Sequence, residues 1–210
     1  MKILVIGSTG GTGRAIVEQA LAQGHHVTAF ARRPEEVTLR HERLEIAQGN
    51  VLDEKSVSEA VQGKDAVLSA LGHKQWFIKT SILSEGTRNI IAAMQKHGVK
   101  RFVCETTLGI GDTRGKLGLY YTLFVIPVIV FFYFKDKERQ ERYIQESGLD
   151  WVIVRPGQLT NGRKRGTYRH GTEVGSWWRT VTISRADVAD FMLKQLTEDA
   201  YLRKTPGIAY

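Results

Sequence analysis

The chain opens with a short apolar run, residues 3–6, that passes directly into a glycine-rich turn. A helix-length stretch follows at 12–23, with Ile16, Val17, Ala20 and Leu21 recurring on one face and Gly24 ending it. The same alternation then continues. Apolar, strand-like runs fall at 27–31, 44–48, 66–70, 101–105 and 151–155. Helical spacing is read between them at 56–61, at 137–147 and at 80–96, where Ile82, Leu83, Ile90, Ile91 and Met94 share a face. Ser184-Arg185-Ala186-Asp187 resembles a capping box opening a last helix to about residue 196. Strands separated by helices of this length predict parallel pairing through right-handed crossovers. The expected fold is α/β, a Rossmann-type, doubly wound parallel sheet. No repeat and no linker divides the chain. Residues 1–210 are therefore expected to form one domain with a small C-terminal elaboration on the substrate side.

One segment departs from the alternation. Residues 117–134, LGLYYTLFVIPVIVFFYF, are almost wholly apolar. A membrane span needs about 20 apolar residues. This run is shorter, contains Gly118 and Thr122, and is interrupted by Pro127. No membrane span is expected. The run reads instead as a pocket wall, a lid or a subunit interface, the last of which leaves a homodimer open.

Charge adds a constraint. Thirty Lys and Arg stand against 22 Asp and Glu, a net +8. With no nucleic-acid motif in the chain, that excess is read as a surface that attracts anionic cofactors and substrates. The cluster Arg163-Lys164-Arg165 with Arg169 and His170 lies in a glycine-containing loop. The single cysteine, Cys104, falls in a strand and excludes an internal disulfide. Together with an N-terminal run too short for a signal peptide, it suits the cytoplasm. The histidines lack ligand spacing, so no metal is expected.

The strongest chemical signal is Gly7-Ser8-Thr9-Gly10-Gly11-Thr12-Gly13-Arg14, placed between the first strand and the first helix. Glycine there permits a tight turn and close backbone approach to a pyrophosphate. The helix start offers unpaired N–H groups and positive potential to the anion. Strand, loop and helix in this order point to a dinucleotide. The end of the second strand then selects which one. NAD sites usually carry an acid there to bond the ribose 2′-hydroxyl, whereas this chain carries Arg32-Arg33. Two guanidiniums suit a 2′-phosphate, so the expected cofactor is NADPH/NADP.

These residues resemble the atypical short-chain dehydrogenase/reductases, and specifically their biliverdin-IXβ reductase/flavin reductase branch. The matching stretches are Gly7 to Gly13, Ser84-Glu85-Gly86, Arg88-Asn89-Ile90, Ala92-Ala93-Met94, His97-Gly98-Val99, Glu146-Ser147-Gly148-Leu149 and Phe191-Met192-Leu193. The broader NmrA-like NAD(P)-binding proteins share the first half and the Arg155-Pro156-Gly157 turn. The resemblance implies that Gly7, Thr9, Gly10, Thr12 and Gly13 hold the phosphates and that Arg32, with Arg33 beside it, meets the 2′-phosphate. It implies adenine contacts at Asn50 and Val51, with Asn50 standing where the family usually has Asp. Leu71 and Gly72 match positions beside the nicotinamide half, and Arg88 a further cofactor contact. Thr106 sits beside the active-site position, and Pro156, Gly157, Gln158 and Leu159 form the turn under the nicotinamide. Two positions depart from the family. Thr107 replaces its active-site Ser and keeps a hydroxyl. Gln158 replaces a His and cannot serve as an acid near neutral pH.

Tyr133 and Lys137 also spell the Tyr-x-x-x-Lys of most short-chain dehydrogenases. Residues four apart share a helix face. The lysine would hold the nicotinamide ribose and ease proton donation from the tyrosine. Three readings follow. The first is hydride transfer from NADPH to a small-molecule substrate with a conjugated ring, a flavin, a tetrapyrrole or another aromatic acceptor, with the 117–134 run and Trp177-Trp178 as the ring-facing wall. The second is carbonyl reduction by Tyr133 and Lys137. The third is a non-catalytic, NADP-binding regulator of the NmrA-like kind.

Overall fold

The computed structural model describes residues 1–73, 75 and 78–210. Its centre is built from the parallel strands β1 (Lys2–Ile6), β2 (His26–Ala31), β3 (Leu44–Gln48), β4 (Ala66–Ser69), β5 (Arg101–Glu105) and β6 (Asp150–Pro156). They lie in the order β3-β2-β1-β4-β5-β6, the Rossmann arrangement that the alternation predicts. Helices α1 (Gly11–Ala22), α2 (Glu54–Val61), α3 (Ile82–His97), α4 (Phe131–Glu146) and α5 (Arg185–Lys194) cover the two faces. Alternation along β1 assigns each side chain to a face. Ile3 and Val5 pack with Ile16 and Val17 of α1 and Phe191 and Met192 of α5. Leu4 and Ile6 pack on the opposite side with Val57, Ile90, Met94 and Ile144 of α2, α3 and α4. Both faces of β1 are covered, which is why its sequence is a continuous apolar run.

The C-terminal elaboration contains strands that the sequence reading does not identify. These are β7 (Gln158–Thr160), β8 (Arg169–Gly171), β9 (Thr182–Ser184) and β10 (Gly207–Ala209). Strand β10 extends the sheet parallel to β6, and β8 closes that edge antiparallel to β10. Strands β7 and β9 pair in parallel as a separate ribbon. Runs this short carry too little periodicity to be told from loop.

The start of α4 also differs from expectation, since the helix begins at Phe131 rather than at 137. Just before it, Tyr121–Ile129 forms a π-helix with Pro127 inside. An apolar run shows no polar face, and so hides its helical period. Tertiary contact reveals it: Tyr121, Ile126, Val130 and Tyr133 pack on a small core of Leu108, Ile110, Leu117, Phe134, Val174 and Val181. Helix α4 in turn caps α3. No side chain of the N-cap residue Ser81 does so. Instead the Asp136 carboxylate, itself buried, accepts from the backbone N–H of Leu83 at 2.9 Å and from the Ser84 hydroxyl at 2.5 Å.

Cys104 lies fully buried in β5, and burial pushes its thiol up to about 12 against the charge of Lys137. The thiolate is the reactive form. The folded protein is therefore expected to resist a disulfide reagent at pH 8 and to label stoichiometrically only in denaturant. Rapid labelling of the folded chain would contradict the packing of this strand.

Candidate active site

The glycine-rich loop closes on itself through a hydrogen bond from the Gly10 N–H to the Gly7 carbonyl at 2.9 Å. Gly7 has φ +78°, and a Cβ there would stand 2.4 Å from the Ala70 carbonyl oxygen. At Gly13 a Cβ would stand 2.1 Å from the Gly7 carbonyl oxygen. These two positions need glycine for close backbone approach; Gly10 does not, with nothing nearer than 3.3 Å. Ser8 ties the loop to β2 by donating to the Phe30 carbonyl at 2.9 Å. Thr9 stays half-buried and Gly10 exposed at the mouth. Thr12 turns inward, its hydroxyl donating to the Glu105 carboxylate at 3.1 Å, so only its backbone faces an anion. Helix α1 has no side-chain cap and no acidic residue in its first turn. Its first N–H groups are thus open to an anionic ligand, and this is the fit that a dinucleotide diphosphate requires.

Beyond β2 the two arginines separate in role. Arg33 pairs with Glu36 at 2.8 Å. Arg32 is exposed and has no ion pair among the described residues. At the next strand end, Asn50 is exposed and Val51 buried, with the Val51 carbonyl held by the Asn89 side chain at 2.9 Å. Gly86 of α3 leaves the space that Val51 and Leu71 fill, since a Cβ there would meet them at 2.8 and 3.2 Å. Arg88 is exposed and pairs with Glu85 at 2.6 Å.

Lys137 organises the ends of β4 and β5. Its buried ammonium donates to the Glu105 carbonyl at 3.0 Å and to the Leu71 carbonyl at 3.3 Å. An ammonium has three donors, so among the described residues one N–H is left for a ligand. Tyr133, one turn earlier, is half-buried. Its hydroxyl lies 3.6 Å from where a Cβ at Gly72 would be, and Lys137 Nζ lies 5.8 Å from its ring centre. The Tyr133/Lys137 pair and Leu71-Gly72 are thereby brought to one place. Thr107 is half-buried and donates to the Leu108 carbonyl at 2.9 Å. Thr106 is buried and donates to Glu141 at 2.6 Å, beneath the surface rather than into the cleft. The turn from Pro156 to Leu159 is anchored on β9 and β10. Gly157 donates to the Ile208 carbonyl at 3.0 Å and Gln158 to the Val181 carbonyl at 2.8 Å, leaving the Gln158 side chain exposed.

Two features escape the sequence reading. The first is Arg185, the opening residue of α5. Its side chain lies across the start of α1, where a Cβ on Gly11 would meet its Cδ at 2.5 Å and its Nε at 2.9 Å. Asn161 steadies the guanidinium, accepting from Nη1 at 2.6 Å. A cation in the first turn of a helix opposes the helix dipole, and that is the signal the capping-box reading passes over. The second is Glu105, buried beneath the loop. Burial raises its pKa, while Lys137, Thr12 and Arg185 draw it down.

Comparison with known proteins bears on the family and the fold. The NAD(P)H-binding family model matches residues 7–199. An uncharacterised chloroplastic protein of Arabidopsis thaliana is 31% identical over 79% of this chain and 61% of its own length. A photosystem II assembly factor of Synechocystis is 27% identical over 98% of this chain and 61% of its own length. The chain thus spans about three-fifths of these two relatives. Among solved structures, ChuY, an anaerobilin reductase of Escherichia coli, superposes with TM-score 0.82 at 24% identity, covering 100% of this chain and 97% of that one. A short-chain dehydrogenase/reductase of Veillonella parvula in complex with NADP superposes with TM-score 0.81 at 17% identity, covering 100% and 94%. At these identities the two structures speak for the fold.

Proposed function

The chain belongs to the NAD(P)H-binding family, and on that premise we propose that it is a reductase that prefers NADPH and acts on a flat conjugated acceptor of the flavin or tetrapyrrole kind. The observation that carries the cofactor choice is Arg32, an exposed guanidinium with no ion pair among the described residues, at the strand end next to the phosphate loop. NADPH supplies the hydride when bound. The chain's own residues bind and orient. The open first turn of α1 receives the diphosphate, Arg32 the 2′-phosphate, and the remaining N–H of Lys137 a ribose hydroxyl. Arg185 adds charge above the diphosphate. The exposed Gln158 side chain can donate a hydrogen bond to the acceptor, and the Thr107 hydroxyl, just past the end of β5, would face it. Neither is an acid near neutral pH, so solvent provides the proton. The biliverdin-IXβ reductase/flavin reductase resemblance supports this acceptor class.

NADPH oxidation measured with FMN, FAD and biliverdin tests the reading. Turnover with at least one is expected; NADPH binding without turnover on any would reject it. The Tyr133 hydroxyl near Gly72, which has no hydrogen bond among the described residues, favours carbonyl reduction as the second reading. Tyr133→Phe separates the two. It should leave ring reduction within about threefold and remove a carbonyl activity by roughly 100-fold or more.

The two arginines should dissociate in calorimetry. A hydrogen bond to a charged group is worth about 1.5–3 kcal/mol, or roughly 10- to 100-fold in affinity. Arg32→Asp is expected to weaken NADPH by at least that much and to leave NADH nearly unchanged. Arg185→Gln should weaken both dinucleotides alike, by about tenfold, and leave adenosine 2′-monophosphate, which lacks the diphosphate, unaffected. Equal losses for all three ligands would show that Arg185 acts only on the loop's structure.

A further inference from the structure

We propose that the apolar face carried by residues 119–132 together with Trp177 and Trp178 docks flat on an anionic phospholipid membrane. The face is not an accident of one loose loop. The two segments are locked together by the Leu117–Ser176 bridge and by the Trp177 ring, which lies so close over Gly115 that a Cβ there would be 2.0 Å from it. The inner side of 117–134 packs on the small core already described, and the outer side meets solvent. Tyr120 is 63% exposed, Phe124 60%, Val128 70% and Trp178 82%, with Leu119, Leu123, Phe131 and Phe132 exposed beside them. Contiguous apolar surface of this extent marks an interaction site.

Side-chain chemistry selects the occupant. Trp and Tyr are the residues that settle at the headgroup level of a bilayer. No acidic residue occurs between Asp112 and Asp136 or between Glu173 and Asp187. Four cations rim the face: Arg114, Lys116, Lys135 and Arg179. Among the described residues three carboxylates lie near them, one of which, Asp112, is bound to Arg155. Glu138 is shared by Arg114 and Lys135, and Glu173 stands 3.7 Å from Lys116. Arg179 is exposed and has no ion pair among the described residues. This net positive rim attracts anionic headgroups. It also disfavours a second copy of the chain, because a symmetric pairing through this face would oppose like charges. Among the described residues no helix is long and apolar enough to cross a membrane. The segment therefore rests in the interfacial plane, with its aromatic side chains among the acyl boundary. The docked face adjoins α4, whose Tyr133 reaches Gly72 at the cleft.

Co-sedimentation of the full chain with phosphatidylcholine vesicles, with and without phosphatidylglycerol, tests the proposal. Binding is expected with the anionic vesicles and is expected to fall with salt. Arg179→Gln should weaken it about fivefold, the equivalent of one cation at the surface. Phe124→Ser combined with Trp178→Ser should weaken it on the order of tenfold or more, while NADP⁺ binding in calorimetry stays at the wild-type value and shows the fold intact. Three results would overturn the docking. The first is no sedimentation with anionic vesicles. The second is equal binding by the double variant. The third is a dimer in analytical ultracentrifugation that the double variant dissolves, which would assign the face to a second copy.

Discussion

Gly13→Ala is expected to abolish NADP(H) binding, with calorimetry detecting no uptake at concentrations that saturate the wild-type chain. The new Cβ would sit 2.1 Å from the Gly7 carbonyl oxygen and 2.7 Å from its carbon. Both are backbone atoms, so no side-chain rotation relieves the contact. Gly7 cannot retreat either, being itself seated against the Ala70 carbonyl. The loop must open and carry the first N–H groups of α1 away from the diphosphate. Losing two or more charge-assisted hydrogen bonds corresponds to a fall of roughly 100-fold or more. Gly11→Ala supplies the contrast. Its Cβ would meet only the Arg185 side chain, which can swing aside. That variant should lose affinity by about the same factor as Arg185→Gln and no more. Circular dichroism on Gly13→Ala separates a local loss from unfolding. Retained fold with affinity within about threefold of wild type would remove the loop from the cofactor site.

The largest expected effect on stability comes from Glu141→Ala. The Glu141 carboxylate receives Arg155 through two bonds, Nε at 3.0 Å and Nη2 at 2.6 Å, and also the Thr106 hydroxyl. Both charged side chains are buried. Removing one member leaves a guanidinium in the interior, with the exposed Asp112 its one remaining ion-pair partner among the described residues. Such losses run to about 3–5 kcal/mol, a large share of the stability of an ordinary domain. Urea denaturation should show a loss of unfolding free energy of that size, read as the midpoint shift multiplied by the denaturant slope. Asp112→Asn should cost about 1 kcal/mol or less, since its side chain is 65% exposed and solvent screens the pair. If the two variants are equally mild, the ion pair does not hold α4 to β6. That link matters beyond stability, because β6 leads into the Pro156-to-Leu159 turn at the cleft.

Much of the candidate site is legible in the sequence. Gly7 and Gly13 announce themselves by spacing, and the apolar runs of β1, β2, β4, β5 and β6 by composition. Arg32 and Arg33 could be placed at the end of β2, and the family resemblance singles out Arg32 for the 2′-phosphate. The Glu36 carboxylate supplies a separate reason, since it pairs with Arg33 while Arg32 has no ion pair among the described residues. Lys137 was visible as half of a familiar dyad. Its seat on the carbonyls of Leu71 and Glu105 was not, because those contacts join residues 66 and 32 positions away. Arg185, Glu141 and Asp136 read in the sequence as ordinary charged helix residues, and nothing local sets them apart from a solvated face.

The parallel central strands, the helices between them and the glycine loop follow from the chain read alone, since each depends on neighbours within one strand–helix unit and on the fixed hand of the crossover. Contacts across the sheet settled the rest. Crossovers bring α5 over the start of α1 and α4 against the ends of β4 and β5. Burial then turns unremarkable charges into a clamp, a cap and an interior ion pair, because desolvation makes the worth of a charge depend on the partner beside it.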